Sequence, residues 1–299
     1  MSDDRFFRGR GAPGNLQSLR ARLQRVVRAG EDRGADELAV VENRVVRAMA
    51  NVIVGQTIPN GVIKGGTAMN IRLGTANSRF TPDLDAARLP GMAVGDYLEE
   101  LAANLAQGWQ GFTGVVEEDS PADPVGVPDA YVMQPFRIRL AYAGRHWLSV
   151  RFELGHDEIG STLAPEMREA DDLAELLSDL GFEERPRPMP LLPVAHQVAQ
   201  KLHACTSMGR GGGNDRAHDL VDLQLLDLGG GIATTDVKAV AQRLFISRRA
   251  QPWPPTVVAY DRWPDIYAEA ADGLGVRPDV TDAVDWANDL IQRIASAHA

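Results

Sequence analysis

The stretch VIKGGTAMNIRLGTANSRFTPDLDA, residues 62–86, joins two motifs of different chemistry. It opens on the apolar pair Val62-Ile63, turns at Lys64-Gly65-Gly66-Thr67, and continues as a short helical pattern from Ala68 to Leu73. A Gly/Asn/Ser loop then leads to Arg79-Phe80-Thr81-Pro82-Asp83-Leu84-Asp85. Two glycines let backbone N–H groups approach an anion closely, and a helix start behind them favours negative charge. Asp83 and Asp85 are two apart, so on an extended strand both carboxylates point to one face. Paired hard oxygens suit Mg2+ (or Mn2+), which is commonly held by one or two carboxylates plus substrate phosphates. Either motif alone also reads as a tight turn or a solvated loop. Their succession within 25 residues is the more specific signal, a phosphate cradle followed by a metal-binding pair.

The chain of 299 residues has room for two domains, and 44% apolar content is enough for a real core. A net charge of −10 gives no general basic footprint for nucleic acid. The charge is uneven, however. The first 28 residues hold arginines 5, 8, 10, 20, 22, 25 and 28 against Asp3 and Asp4. Such a segment can hold a polyanion, and it equally reads as a solvated amphipathic helix with a frayed end. Cys205 is the single cysteine, so no intramolecular disulfide forms, and the expected compartment is the reducing cytoplasm. Its surroundings read as those of a buried, inert thiol. No run of 18 apolar residues and no secretory leader is seen, so no membrane association is expected.

Outward from the central stretch, apolar spacing predicts a helix opened by Pro13 and running to Ala29, a second over 35–52, and another over 94–107. Strands are predicted at 62–64, 113–117, 131–143 and 145–154, the last two forming a hairpin at Ala143-Gly144. An acidic, proline-containing loop covers 118–130. Arg185 to Pro193 holds four prolines in nine residues and reads as a stiff connector. Beyond it the pattern is helical, at about 193–208, 214–228, 234–249, 263–273 and 281–297. The expected organisation is a basic arm and helix over 1–30, an α/β domain with a small mixed sheet over 31–185, and a mostly helical domain over 186–299.

Two stretches of the helical half carry further chemistry. In Gln197-Val-Ala-Gln-Lys201-Leu-His203, Lys201 lies beside apolar positions and either snorkels outward or enters a polar cleft. In Asn214-Asp215-Arg216-Ala-His218-Asp219-Leu-Val-Asp222, Asp219 and Asp222 share a helix face, with Arg216 one turn before Asp219. Asn214 or Asp215 is the expected N-cap. The Gly209–Gly213 loop between them is a linker or a gate. The six histidines show no zinc-ligand spacing, and neither a P-loop nor a G-x-S-x-G elbow occurs.

Four blocks in this order resemble the AbiEii/AbiGii-type nucleotidyltransferase toxins, which include the mycobacterial MenT group. They are Lys64-Gly65-Gly66-Thr67, Arg79-x-Thr81-x-Asp83-x-Asp85, Gln197-x-x-x-Lys201-Leu-x-Ala204 and Arg216-x-His218-Asp219-x-x-Asp222-Leu223. The resemblance covers roughly 15–230. It implies a polymerase β-like nucleotidyltransferase domain followed by a helical one, with Asp83 and Asp85 holding Mg2+. It implies phosphate contacts from Lys64 and Lys201, and an essential carboxylate at Asp219 across a cleft from the sheet. Gly65, Gly66, Thr67, Arg79 and Arg216 complete the nucleotide-binding set, and Glu153 is the candidate third sheet carboxylate. Thr81 stands where some members carry a Ser or Thr that is phosphorylated when the toxin is neutralised. His218 occupies a position that is commonly lysine in the family. The resemblance further implies an NTP substrate, an RNA acceptor such as the tRNA 3′ end, arrested translation, and a cognate antitoxin. The toxin itself is expected to be a monomer when free. Two other readings stay open. One is an aminoglycoside-like small-molecule acceptor, drawn to the Asp/Glu cluster at 117–123; the other is a non-catalytic NTP-binding sensor.

Overall fold

A computed structural model describes residues 6–30, 35–119, 133–208 and 213–298. The chain divides into two compact units. One is made of residues 1–75, 80–157 and 165–191, and the other of 76–79, 158–164 and 192–299.

The first unit is built on a mixed sheet that has seven strands among the described residues, in the order β3-β4-β5-β2-β1-β7-β6. These are β1 Gly61–Lys64, β2 Asp83–Arg88, β3 Phe112–Glu118, β4 Gln134–Tyr142, β5 Arg145–Gly155, β6 Glu166–Arg168 and β7 Met189–Leu191. The central pair β1/β2 is antiparallel, whereas β2/β5 and β1/β7 are parallel. Val62, Ile63 and Leu84 are fully buried, as expected of central strands covered on both faces. Helices α1 Leu16–Gly30, α2 Ala35–Gly55, α3 Gly65–Leu73, α4 Val94–Gln107 and α5 Asp171–Asp179 belong to this unit. One core joins them to the sheet through Leu19, Leu23, Met49, Ile53, Leu101, Leu173 and Phe152.

The α/β expectation is therefore met, with two differences of detail. The proline-rich stretch read as a connector contains β7, whose Leu191 pairs with Ile63 of β1. The 155–185 interval, for which the sequence pattern predicts no element, supplies β6 and α5. The helix expected within the basic stretch 1–30 packs into this core through Leu19 and Leu23. Arg22 donates to the carbonyls of Gly11 and Leu180 at 2.7 Å and covers the Phe7 ring at 4.5 Å, while Arg8 pairs with Asp179. Cations at the end of α5 complement its dipole. Arg5 lies outside the described residues.

The second unit is helical: α6 Val194–Thr206, α7 His218–Leu228, α8 Thr234–Arg248, α9 Trp263–Ala271 and α10 Val280–Ser296. Every residue of α7 from Asp219 to Leu226 is buried, so α7 is its central helix. Asp279 caps α10 by accepting from the N–H groups of Thr281 and Asp282. No described helix is long and apolar enough to cross a membrane.

Candidate functional site

In the first unit, the site follows from how β1 turns into α3. Gly65 takes φ +63°, and a Cβ placed on it would lie 1.9 Å from Asp85 Oδ2. A Cβ on Gly66 would lie 2.7 Å from both Cβ and Oγ1 of Thr81. Each glycine is thus required by a residue of the second motif. Thr67 ties the two motifs by a third contact, its hydroxyl donating to the Asp83 carbonyl at 2.7 Å. The Asn51 amide of α2 donates to Thr67 Oγ1 at 3.1 Å and to the same carbonyl at 3.3 Å.

Strand register then sets the charges. Lys64 is opposite Asp85 across β1/β2, and Asp85 is opposite Glu153 across β2/β5. Asp83 is opposite Arg151. Directly opposed residues share a sheet face, so Lys64, Asp83, Asp85, Arg151 and Glu153 stand on one face. Arg151 holds Glu153 at 2.8 Å. Burial raises the Asp83 carboxyl above its ordinary range, opposed by Arg151 and Arg47. Burial also raises Glu153, with Asp85 and then Asp83 adding repulsion against the pull of Arg151 and Lys64. These half-buried hard oxygens repel one another, and a divalent cation relieves that repulsion, so the donor chemistry fits Mg2+ or Mn2+. Among the described residues, no three His, Cys, Asp or Glu side chains stand as a ready metal cage.

The second unit carries its own charged cluster. Because α7 is buried all round, Asp219 and Asp222 lie inside it with no exposed surface and require cations. Lys201, 6% exposed, donates to Asp219 at 2.9 Å and to Asp222. The Arg79 Nε lies 3.0 Å from both Asp222 oxygens, and the Arg216 Nε donates to Asp219 at 2.8 Å. Burial alone would raise Asp219, but Lys201, Arg216 and His218 override it and hold the carboxyl well below the usual range. His218, 3.9 Å from Asp219, is lowered to about 4 by burial and by Arg79, Arg216 and Lys201, against the opposing pull of Asp219. It is therefore uncharged at neutral pH, unlike the lysine common at this position in the resembling family.

A family model described as nucleotidyl transferase AbiEii toxin, type IV TA system, matches residues 47–289. The chain belongs to the AbiEii nucleotidyltransferase toxins. Among solved structures, MenT4, a nucleotidyltransferase toxin from Mycobacterium tuberculosis H37Rv, is similar in fold. The TM-score is 0.53 at 16% identity, over 94% of this chain and 90% of that one. No curated protein sequence matches.

Of the AbiEii site residues expected from sequence, Lys64, Gly65, Gly66, Thr67, Thr81, Asp83, Asp85 and Glu153 lie together in the first unit. Lys201, Asp219, Arg79 and Arg216 lie together in the second. Thr67 uses its hydroxyl to hold the start of β2, and Thr81 is buried against Gly66. Asn51 and Arg151 fall outside the expected site set, whereas Asp222 belongs to its last block without an assigned role. The one sequence signal for Asn51 is a polar side chain inside the apolar run Met49–Val54. Asn214 accepts from the Arg216 N–H at 2.6 Å and donates to the carbonyls of Ala204 and Ser207, so it ties α6 to the approach of α7, which begins only at His218. Residues 209–212 lie outside the described residues. So do 120–123 of the acidic loop, while Glu117 and Asp119 are paired to Arg139 and Arg137. Cys205 is buried, and burial raises its thiol far above the ordinary range, as fits an inert residue.

Proposed function

We propose that this AbiEii toxin transfers a nucleoside monophosphate from an NTP to a hydroxyl of RNA, at the tRNA 3′ end, and thereby blocks translation. The observation that carries the reading is the closure of Gly65 and Gly66 onto Asp85 and Thr81, which makes the glycine turn and the carboxylate strand one structure.

In this reading the N–H groups at the start of α3 and the Lys64 ammonium receive the triphosphate, since a helix start favours negative charge. Thr67 and Asn51 hold the Asp83 backbone in place. Asp83 and Asp85, with Glu153 as third carboxylate, would hold Mg2+ or Mn2+, whose chemistry when bound is to offset charge on the phosphates. The acceptor oxygen bonds to the α-phosphorus as the bond to the bridging oxygen breaks; pyrophosphate departs and the hydroxyl proton passes to solvent. Lys201, Asp219, Arg79 and Arg216 are the helical unit's contribution to nucleotide handling. Within that set Lys201 bonds to both Asp219 and Asp222, and these carboxylates in turn hold Arg216 and Arg79. The free toxin acts as a cytoplasmic monomer and is restrained by a cognate antitoxin. Phosphorylation of Thr81 would add charge beside Asp83 and Asp85 and so repel the triphosphate.

The test is incubation of the purified protein with each labelled NTP, Mg2+, total RNA and a set of aminoglycosides. Label in tRNA is the expected result. Label on the drug would replace RNA by a small-molecule acceptor, and no label in any fraction would leave an NTP-binding sensor.

A further inference from the structure

Residues 237–260 hold Lys238, Arg243, Arg248 and Arg249 and no carboxylate, in a chain of net charge −10. Arg248 is answered by Glu158, to which it donates at 2.9 and 2.7 Å. Arg243 and Lys238 donate instead to the neutral carbonyls of Ile159 and Ala297. Arg249 leaves the end of α8 in the left-handed region at φ 52° with its side chain exposed. Between Asp236 and Asp261 the segment thus carries four cations, of which Arg248 is paired to a carboxylate, in a protein that is acidic as a whole.

A cavity of about 480 Å³ opens here, lined by Trp253, Phe245, Ile246, Arg249, Gln242 and Gln251. That volume lies within the range of small-ligand pockets, about 300–1,000 Å³. Trp253 is held edge-on by Phe245 at a centroid distance of 5.2 Å, and Phe245 is braced by His203 at 4.9 Å. Gln251 is fixed by donating to the His203 carbonyl at 3.1 Å. Ile246, 75% exposed, leaves an apolar wall toward solvent. A fixed indole, an aliphatic wall and a guanidinium with no carboxylate in its segment form the chemistry that takes an unpaired base and its phosphate.

We propose that this cavity is a subsite for single-stranded RNA, in which a base stacks on Trp253 and an adjoining phosphate meets Arg249. The inference rests on the RNA-acceptor reading above and names a part of the helical unit that would hold that acceptor.

The experiment titrates the full chain, without NTP, into a fluorescein-labelled single-stranded RNA oligonucleotide, followed by anisotropy at several salt concentrations. Trp253→Ala is expected to weaken binding about tenfold with the salt slope unchanged, because stacking carries no counterion release. Trp253→Phe should recover most of the affinity. Arg249→Gln should reduce the slope of log K against log salt by about 0.7, the value for one single-strand phosphate contact. Arg249 is exposed, so its variant decides the matter even where Trp253→Ala fails to fold. Unchanged affinity and slope in the Trp253→Ala and Arg249→Gln chains, with RNA still labelled by NTP, would overturn the subsite and leave the proposed activity standing. A wild-type chain that neither binds the oligonucleotide nor labels RNA would remove the acceptor reading, and the subsite with it.

Discussion

Replacing Gly65 by alanine separates catalytic geometry from simple backbone strain. The new Cβ would stand 1.9 Å from Asp85 Oδ2, and ordinary contact begins at 3.4 Å, so the carboxylate must retreat by about 1.5 Å. The φ of +63° adds the left-handed penalty, about 1–2 kcal/mol for a residue with a Cβ. Gly91 supplies the control, since its φ is +78° and nothing lies within 4 Å of its Cβ position. Gly91→Ala should lose about 1–2 kcal/mol, a few degrees in Tm, and Gly65→Ala about 1–3 kcal/mol more for the displaced carboxylate. Only Gly65→Ala should lose transfer, by about 100-fold or more, because displacing a reacting group by about 1 Å costs roughly that factor. Melting followed by circular dichroism and single-turnover transfer from labelled NTP over a Mg2+ titration measure the two effects. Equal transfer by the Gly65→Ala and Gly91→Ala chains would refute the assignment of Asp85 to the site.

Asp83→Asn and Asp85→Asn should each abolish transfer while the chain still melts cooperatively, and full activity in either would remove that residue from the metal pair. Lys201→Met leaves Asp219 and Asp222 buried with one cation fewer, so urea denaturation should show a loss of about 3–5 kcal/mol; a loss below about 1 kcal/mol would contradict a structural pairing role. His203 is pushed down to about 4 by burial and by Arg248, against Glu158, and its ring abuts Phe245 and Ser207. The unfolded chain therefore binds a proton that the folded chain refuses between about pH 6.5 and 4. The His203 contribution to stability falls as pH drops through that window, by about 3 kcal/mol in full, and is intact above it, and His218 adds a loss of the same sign. Urea midpoints at pH 7 and 4.5 should show this loss in the wild type and less of it in His203→Gln.

Much of the fold was legible because apolar spacing is local. The stripe Leu16, Leu19, Leu23 predicts α1, and Leu19 and Leu23 are buried in the core. Short elements defeat that method. Strand β7 is three residues, Met189-Pro190-Leu191, in which only a buried–intermediate–buried alternation survives, and its proline argues against a strand. Its place in the sheet comes from Ile63, far away in sequence.

The site divides along the same line. Asp83 and Asp85 are legible because a strand's period of two puts them on one face. Asn51 is not, since its role exists only through Thr67, 16 residues on, and the Asp83 carbonyl, 32 residues on. Lys201 was legible as a polar residue on an apolar face, but its carboxylate partners follow from α7 being buried on every side. The same dependence explains why a Gly-Gly turn and an Asp-x-Asp strand mean little apart. Gly65 must lack a Cβ because Asp85 occupies that space, and Gly66 must lack one because Thr81 does. Each motif fixes what the other tolerates, so their joint occurrence carries information that neither short pattern holds alone.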